Sequence, residues 1–127
     1  MPFRLAAVGD LHCSETSAGS YRYSFEDLNQ LADILALCGD LTRRGKMSEI
    51  EVVVENLAEV RIPVVAVLGN HDYHEKNNRH FHDYLEEAGV TVLDGDSFTL
   101  SVDGHTAGFA GAKGFAATPS AAHPHLQ

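Results

Sequence analysis

Three short apolar segments in the first half of the chain each end in a glycine. They are FRLAAVG over 3–9, DILALCG over 33–39 and VVAVLG over 64–69. Short continuous apolar runs bounded by turn residues are typical of strands buried on both faces of a parallel sheet. The pattern therefore predicts three strands, each covered on both faces.

The segments between these strands have the periodicity of amphipathic helices. Ser24 precedes the first helix as a candidate N-cap, and Ser48 with Glu51 forms a capping box before the second. The apolar positions are Phe25, Leu28, Leu31 and Ala32 in the first helix, and Ile50, Val53, Val54, Leu57 and Val60 in the second. Alternating strands and helices predict two βαβ units, hence a parallel sheet with right-handed crossovers.

The pattern changes after residue 76. Apolar residues at helical spacing, closed by Gly89, predict a third helix over 78–88. Three further strands are predicted over 90–93, 97–102 and 106–111. Asp-Gly turns separate these strands, which indicates that the last two form an antiparallel hairpin. The tail from Lys113 to Gln127 has no clear element.

Length and charge restrict the class of protein. With 127 residues and 44% hydrophobic content, the chain suits one compact domain over residues 1–127. Its 18 acidic residues against 9 lysines and arginines give a net charge of −9. Such a charge repels phosphate backbones, so we do not expect sequence-independent binding of nucleic acid.

Membrane and disulfide classes are also disfavoured. No signal peptide is recognisable, and no segment has the roughly 20 apolar residues that span a bilayer. The chain has 2 cysteines, Cys13 and Cys38, too few for a disulfide scaffold or a cysteine-rich zinc site. We expect a cytoplasmic protein without a membrane partner, in which Cys38 is a buried small residue.

Polar residues follow the three glycine-ended strands at matched positions. They are Asp10 and His12 after the first strand, Asp40 after the second, and Asn70 and His71 after the third. In an open parallel sheet, ligands bind beyond the carboxyl ends of the strands, where these loops converge. Carboxylate, imidazole and amide groups all bind first-row metal ions, so the pattern predicts a metal site.

Each of these residues also has a purely structural interpretation. Asp40 can be a loop residue or an N-cap, and His71 with Asp72 can be a hydrogen-bonded turn. Asn70 after a glycine can serve to adopt a left-handed backbone. Their joint placement at three strand ends favours the metal site over three unrelated turns.

The same residues carry a resemblance to a known family. G-D-L-H at 9–12, G-D-L-T at 39–42 and G-N-H-D at 69–72 resemble the first three motifs of the calcineurin-like metallophosphoesterases. The resemblance covers about the first 75 residues by motif. It implies an α/β fold, the N-terminal part of a four-layer α/β/β/α sandwich with two mixed sheets.

The resemblance also implies a reaction and a role for each residue. The metal ligands would be Asp10, His12, Asp40 and Asn70, with Asp40 bridging two ions. His71, oriented by Asp72, would stabilise the transition state or protonate the leaving oxygen. The cofactors would be two divalent or trivalent ions of Mn, Fe, Zn or Co, and a bridging hydroxide would hydrolyse a phosphomonoester or phosphodiester substrate.

The chain departs from the family after its third motif. Family members carry a further metal-binding histidine and a G-H-x-H motif, whereas Gly104-His105-Thr106-Ala107 lacks the second histidine. We interpret His123 and His125 as part of a tail and not as ligands. The remaining histidines, His74, His80 and His82, are interpreted as surface residues of a helix. We therefore expect a single domain that is truncated relative to the family fold.

Two functional hypotheses follow. The first is an active metal-dependent phosphoesterase. The second is an inactive fragment or degenerate member that acts as a binding or scaffold module, because Asp40 and Asn70 alone would hold the second ion. A hydrolase with Asp10 as covalent nucleophile is disfavoured, since D-L-H lacks the paired second aspartate. Tyr21, Arg22 and Tyr23 would either contact substrate or pack within their loop.

Overall fold

The computed structural model describes residues 3–112 of the chain. Its strands are β1 (Leu5–Val8), β2 (Ile34–Cys38), β3 (Val64–Val67), β4 (Val90–Val92), β5 (Asp96–Val102) and β6 (His105–Gly111). Its α-helices are α1 (Arg22–Leu31), α2 (Met47–Asn56) and α3 (Asn78–Glu87). Short 3₁₀ helices lie at Glu15–Ser17 and Asn70–Tyr73.

Strands β1 to β4 form one parallel sheet in the order β1-β2-β3-β4. Each is joined to the next through a helix; the alternating pattern predicted this for β1 to β3, whereas the place of β4 in the same sheet was not predicted. The parallel sheet and its helical crossovers are confirmed. All four strands therefore end at the same edge, which brings together the loops after β1, β2 and β3.

One face of the sheet packs on the helices and forms the core. Alternate residues of the strands, such as Leu35 and Leu37 of β2, point to this side and are 1% exposed. Phe81 and Leu85 of α3 and Ile50 of α2 meet them and are fully buried. This core fixes the strand ends that carry the candidate site.

The opposite face of the sheet is only partly covered. Leu5 of β1 is 54% exposed, and Ala7 and Cys38 are exposed as well. The expectation that Cys38 is buried is therefore wrong, as is the expectation that all three strands are covered on both faces. The reason is that alternate residues of a strand face opposite sides, and the helices cover one side alone.

Helices α1 and α2 begin slightly earlier than predicted, whereas the predicted start of α3 is confirmed. Helix α1 starts at Arg22, and its Leu31 is 63% exposed instead of facing the core. Helix α2 starts at Met47, because the Glu49 carboxylate, and not Glu51, accepts a hydrogen bond from the backbone N–H of Lys46 at 3.2 Å. Capping residues lie close together here, so the sequence alone leaves the exact start undetermined.

Strands β5 and β6 form the predicted antiparallel hairpin. Asp103 and Gly104 connect them with φ angles of 50° and 81°, the left-handed pair that a two-residue type I′ turn requires. The Gly95 N–H donates to the Gly111 carbonyl at 2.7 Å, which extends the hairpin pairing by one residue before β5. No helix among the described residues is long and apolar enough to cross a membrane.

Candidate metal centre

The loops after β1 and β2 continue the pairing of their strands into the candidate site. The N–H of Asp10 donates to the Gly39 carbonyl at 3.2 Å, and the N–H of His12 donates to the Asp40 carbonyl at 2.9 Å. Cys13 and Thr42 form one further parallel bridge beyond the loops. The backbone of both loops is therefore fixed in register, and this register sets the distance between their side chains.

Three candidate ligands have a left-handed backbone. The φ angles are 55° for Asp10, 47° for His12 and 51° for Asp40. Lys76 and Asp103 are the other non-glycine residues with positive φ between residues 3 and 112. Such conformations cost energy, and their concentration in one place is typical of functional sites. Asn70 is not among them, so a left-handed turn is not the reason for an asparagine at this position.

The side chains of the first two loops converge. The Nε2 atom of His12 lies 3.4 Å from Asp40 Oδ2 and 3.8 Å from Asp10 Oδ1. Potential ligand atoms of His12, Asp40 and His71 all lie within 4.8 Å of one another. Donors bound to one cation at about 2.0–2.2 Å lie some 3–4 Å apart, so these three groups are close to the separation that a first-row metal ion requires.

Asn70 lies near the two candidate carboxylates. Together with Asp10 and Asp40, it lines a cavity of about 320 Å³. The Asp10 side chain is 79% exposed, whereas that of Asp40 is 18% exposed. Asp40 belongs both to the cluster with His12 and His71 and to the cavity that Asn70 lines. A bridging ligand requires such a shared position.

His71 is held by contacts on several sides. Its backbone N–H donates to Asp40 Oδ1 at 2.9 Å. Its ring stacks on the ring of His12, with 4.4 Å between centroids. Its Nδ1 atom lies 2.7 Å from the Arg43 carbonyl oxygen. Because a carbonyl can only accept, Nδ1 carries the hydrogen and Nε2 is the nitrogen left for chemistry.

Asp72 has a different contact from the one expected. It is fully buried, and its carboxylate accepts hydrogen bonds from the N–H groups of Leu41, Thr42 and Gly69 and from the Thr42 hydroxyl, at 2.7–3.1 Å. The His71 ring instead bonds to Arg43, so the expectation that Asp72 orients this ring directly is wrong. Asp72 joins the second and third loops, and a catalytic role for it remains a prediction.

Two glycines allow the loops after β2 and β3 to approach each other closely. A Cβ atom on Gly69 would overlap the Asp40 carboxylate, whose Cγ atom would be 2.9 Å away. A Cβ atom on Gly39, which has a φ of 90°, would lie 3.3 Å from the Gly69 Cα. Glycine at both strand ends therefore leaves the space that Asp40 occupies.

The two cysteines differ in exposure. Cys38 lines the cavity beside Asp10, Asp40 and Asn70. Cys13 is fully buried, and its pKa is raised from 9.0 to about 11 by burial, with smaller contributions from Glu49 and Asp72. Neither cysteine is in a disulfide. An exposed thiol therefore lies next to the candidate ligands, and a buried thiol directly follows His12 in the chain.

The sequence interpretation missed one histidine of the site. His74 stacks on the His71 ring with 4.8 Å between centroids, so His71 lies between His12 and His74. Asn70–Tyr73 is a 3₁₀ helix, whose three-residue turn places side chains three positions apart above one another. The three-residue spacing of His71 and His74 was the available sequence signal for this contact, but His74 was interpreted as a surface residue of a helix.

Several other candidates lie outside the cluster or contact other parts of the fold. Tyr21 and Arg22 pack within the fold, because Arg22 pairs with Glu59 at 2.9 Å and the Tyr21 hydroxyl lies 3.4 Å from the Leu11 carbonyl. His105 is exposed in the hairpin. The remaining histidines of the sequence analysis are His80 and His82, on α3, and His123 and His125, which lie outside the described residues.

Comparison with known proteins agrees with this geometry. A model of the family described as calcineurin-like phosphoesterase matches residues 3–115. No curated protein matches the chain. The matched segment contains the three motif loops and both sheets, and it extends over most of the chain. The protein therefore belongs to the calcineurin-like phosphoesterase family.

Proposed function

We propose that the protein is a metal-dependent phosphoesterase that hydrolyses phosphomonoesters or phosphodiesters at the edge where β1, β2 and β3 end. The observation that carries this proposal is the convergence of His12, Asp40 and His71, whose potential ligand atoms lie within 4.8 Å of one another. These residues follow three different strands. Folding has therefore gathered two proposed ligands, His12 and Asp40, and the proposed proton donor, His71, which the sequence keeps apart.

The proposed ligand set uses the donors on both sides of Asp40. Asp10 and His12 would hold one ion, Asn70 the other, and Asp40 both. Mn, Fe, Zn and Co all accept this mixture of oxygen and nitrogen donors. When bound, such ions lower the pKa of water and neutralise charge on phosphoryl oxygens.

The chain's own residues would act on the leaving group. The His71 ring is fixed by the Arg43 carbonyl at Nδ1, which leaves Nε2 as the atom that would carry a proton to the leaving oxygen. General-acid help of this kind commonly contributes about 10²–10⁴-fold to a rate. Asp72 would support this step indirectly, since it joins the loop of His71 to that of Asp40.

A direct experiment tests the proposal. The purified protein with Mn²⁺ is assayed on p-nitrophenyl phosphate and on bis(p-nitrophenyl) phosphate, which separates monoesterase from diesterase activity. We expect turnover on at least one substrate, and its loss in Asp40→Ala and His71→Ala. The matched control is His80→Ala, an exposed histidine of α3 outside the cluster, which should retain full activity.

A binding or scaffold module is the second candidate. It is favoured by the small number of donors for the second ion. Within the described part of the chain, the proposed donors are Asp40 and Asn70. Absence of turnover, together with less than one tightly bound metal ion per chain, would reject the phosphoesterase and support the module.

The cytoplasmic location of the protein is also a proposal, and it agrees with two unpaired cysteines.

A further inference from the structure

A second depression adjoins the cluster on the far side of His71. It has a volume of about 430 Å³ and is lined by Arg43, Arg44, His71, His74 and Glu75. His71 belongs both to this depression and to the cluster with His12 and Asp40. Whatever occupies the depression would therefore lie directly beside the proposed proton donor.

Both arginines of this depression are without an ion pair among residues 3–112, although the chain carries a net charge of −9. Arg22 and Arg4, by contrast, each pair with a carboxylate. Glu75 contributes one negative charge, so the lining has a positive balance. A guanidinium presents several donors in a planar fork that suits phosphate, and an unpaired one is available to a ligand.

The backbone that carries the arginines is held firmly. The Arg44 N–H donates to Glu49 Oε1 at 2.8 Å, and the Gly45 N–H donates to the Thr42 hydroxyl at 3.0 Å. Asn77 donates to the Gly45 carbonyl at 3.0 Å, which ties this loop to the segment after β3. A fixed backbone under unpaired side chains reduces the entropy that ligand binding would cost.

We propose that Arg43 and Arg44 form a subsite for a second anionic group on the substrate, carried by its leaving group. This inference rests on the proposed function, because His71 is the residue that places the subsite on the leaving-group side. The preferred substrates are then phosphoesters whose alcohol bears a further phosphate. A neutral alcohol leaves both guanidinium groups without a partner.

The first test measures binding without turnover. Inorganic tripolyphosphate is titrated into chelator-treated, metal-free protein by calorimetry. We expect one site per chain and a loss of about 10-fold in affinity for Arg43→Gln and for Arg44→Gln, the size expected of a lost charge-assisted hydrogen bond. Glu75→Gln should bind more tightly, since it removes the opposing charge. Arg79→Gln, in a separate depression, is the matched control and should bind like wild type.

The second test measures selectivity. Butane-1,4-diol monophosphate and bisphosphate differ only in a remote phosphate, and release of inorganic phosphate reports on both. We expect kcat/KM per reacting group to favour the bisphosphate by about 10-fold in wild type, and this preference to disappear in Arg43→Gln and Arg44→Gln.

The two proposals fail in different ways. Equal tripolyphosphate affinity in wild type and both arginine variants would overturn the subsite, as would turnover with no preference for the bisphosphate. Absence of turnover on every phosphoester would contradict the phosphoesterase, while the binding measurement would still decide whether the anion subsite exists. Circular dichroism of each variant checks that the fold is intact.

Discussion

The Asp72 carboxylate accepts two hydrogen bonds from Thr42, one from its backbone N–H at 2.8 Å and one from its hydroxyl at 2.7 Å. Both bonds go to Oδ1, while Oδ2 accepts from the N–H groups of Leu41 and Gly69. One buried side chain thus connects the loop after β2 with the loop after β3. The positions of Asp40 and His71 relative to each other depend on this connection.

Asp72→Asn should therefore destabilise the protein although it preserves the shape of the side chain. An amide has one acceptor oxygen, so its NH₂ group would face N–H donors that the carboxylate now satisfies. We expect a loss of about 2–4 kcal/mol in the free energy of unfolding, measured by urea denaturation. The exposed Asp83→Asn serves as control, and an equal effect of both changes would contradict the role of Asp72.

Gly69→Ala should weaken metal binding by displacing Asp40. The new Cβ atom would overlap the Asp40 carboxylate, which would have to move out of the cluster. We expect at least about 10-fold weaker binding of Mn²⁺, measured by calorimetry. Gly108→Ala is the matched control, because a Cβ atom there meets nothing within 4 Å. Unchanged affinity in Gly69→Ala would show that Asp40 does not hold the ion.

The two cysteines should differ sharply in their reaction with a thiol reagent. Cys38 is exposed beside the candidate ligands, whereas Cys13 is buried with a raised pKa. At pH 8 a disulfide reagent should modify one thiol per chain rapidly and the other only after denaturation. The rapid reaction should be absent in Cys38→Ser, and prior saturation with Mn²⁺ should slow it in wild type. Rapid modification of both thiols in the native protein would contradict this assignment.

The raised pKa of Cys13 also predicts a dependence of stability on pH. The thiol of the unfolded chain has a pKa of 9.0, whereas burial raises the pKa of the folded Cys13 thiol to about 11. Between these values the unfolded state binds fewer protons, so the free energy of unfolding falls as pH rises. The full contribution, about 2–3 kcal/mol, is present below pH 9 and is lost as pH approaches 11.

Urea unfolding at several pH values between 8 and 11 measures this effect. Other groups also titrate between pH 8 and 11. The relevant quantity is therefore the slope of the unfolding free energy against pH, compared between Cys38→Ser and the double variant Cys13→Ala/Cys38→Ser. The double variant should lose less stability over the interval. Identical slopes would mean that the Cys13 thiol ionises equally in the folded and unfolded states.

Much of the fold could be predicted from local pattern. Apolar runs ending in glycine located β1, β2 and β3, because a strand inside an α/β sheet excludes polar residues and the chain must turn where it ends. The Asp103-Gly104 turn located the hairpin, since few residue pairs adopt two left-handed conformations in succession. Helix starts were less certain, as several residues near each start can cap it.

The convergence of the candidate ligands could also be predicted, because parallel strands end at a common edge. Their contacts could not. Nothing in the sequence says that the His71 ring bonds to the Arg43 carbonyl instead of to Asp72, since both lie in loops whose path depends on the packing of Gly39 against Gly69. The exposure of Cys38 was missed for a similar reason: an apolar run does not reveal which sheet face remains uncovered.

The sequence by itself determined the order of the strands and helices and the identity of the candidate ligands Asp10, His12, Asp40 and Asn70, because these depend on short-range spacing. The tertiary structure alone decided the stacking of His12 on His71 and the opening of a cationic depression beside them. Such relationships join residues of different loops. Their distances are set by the register of neighbouring strands and by the packing of the loops, which a local pattern does not encode.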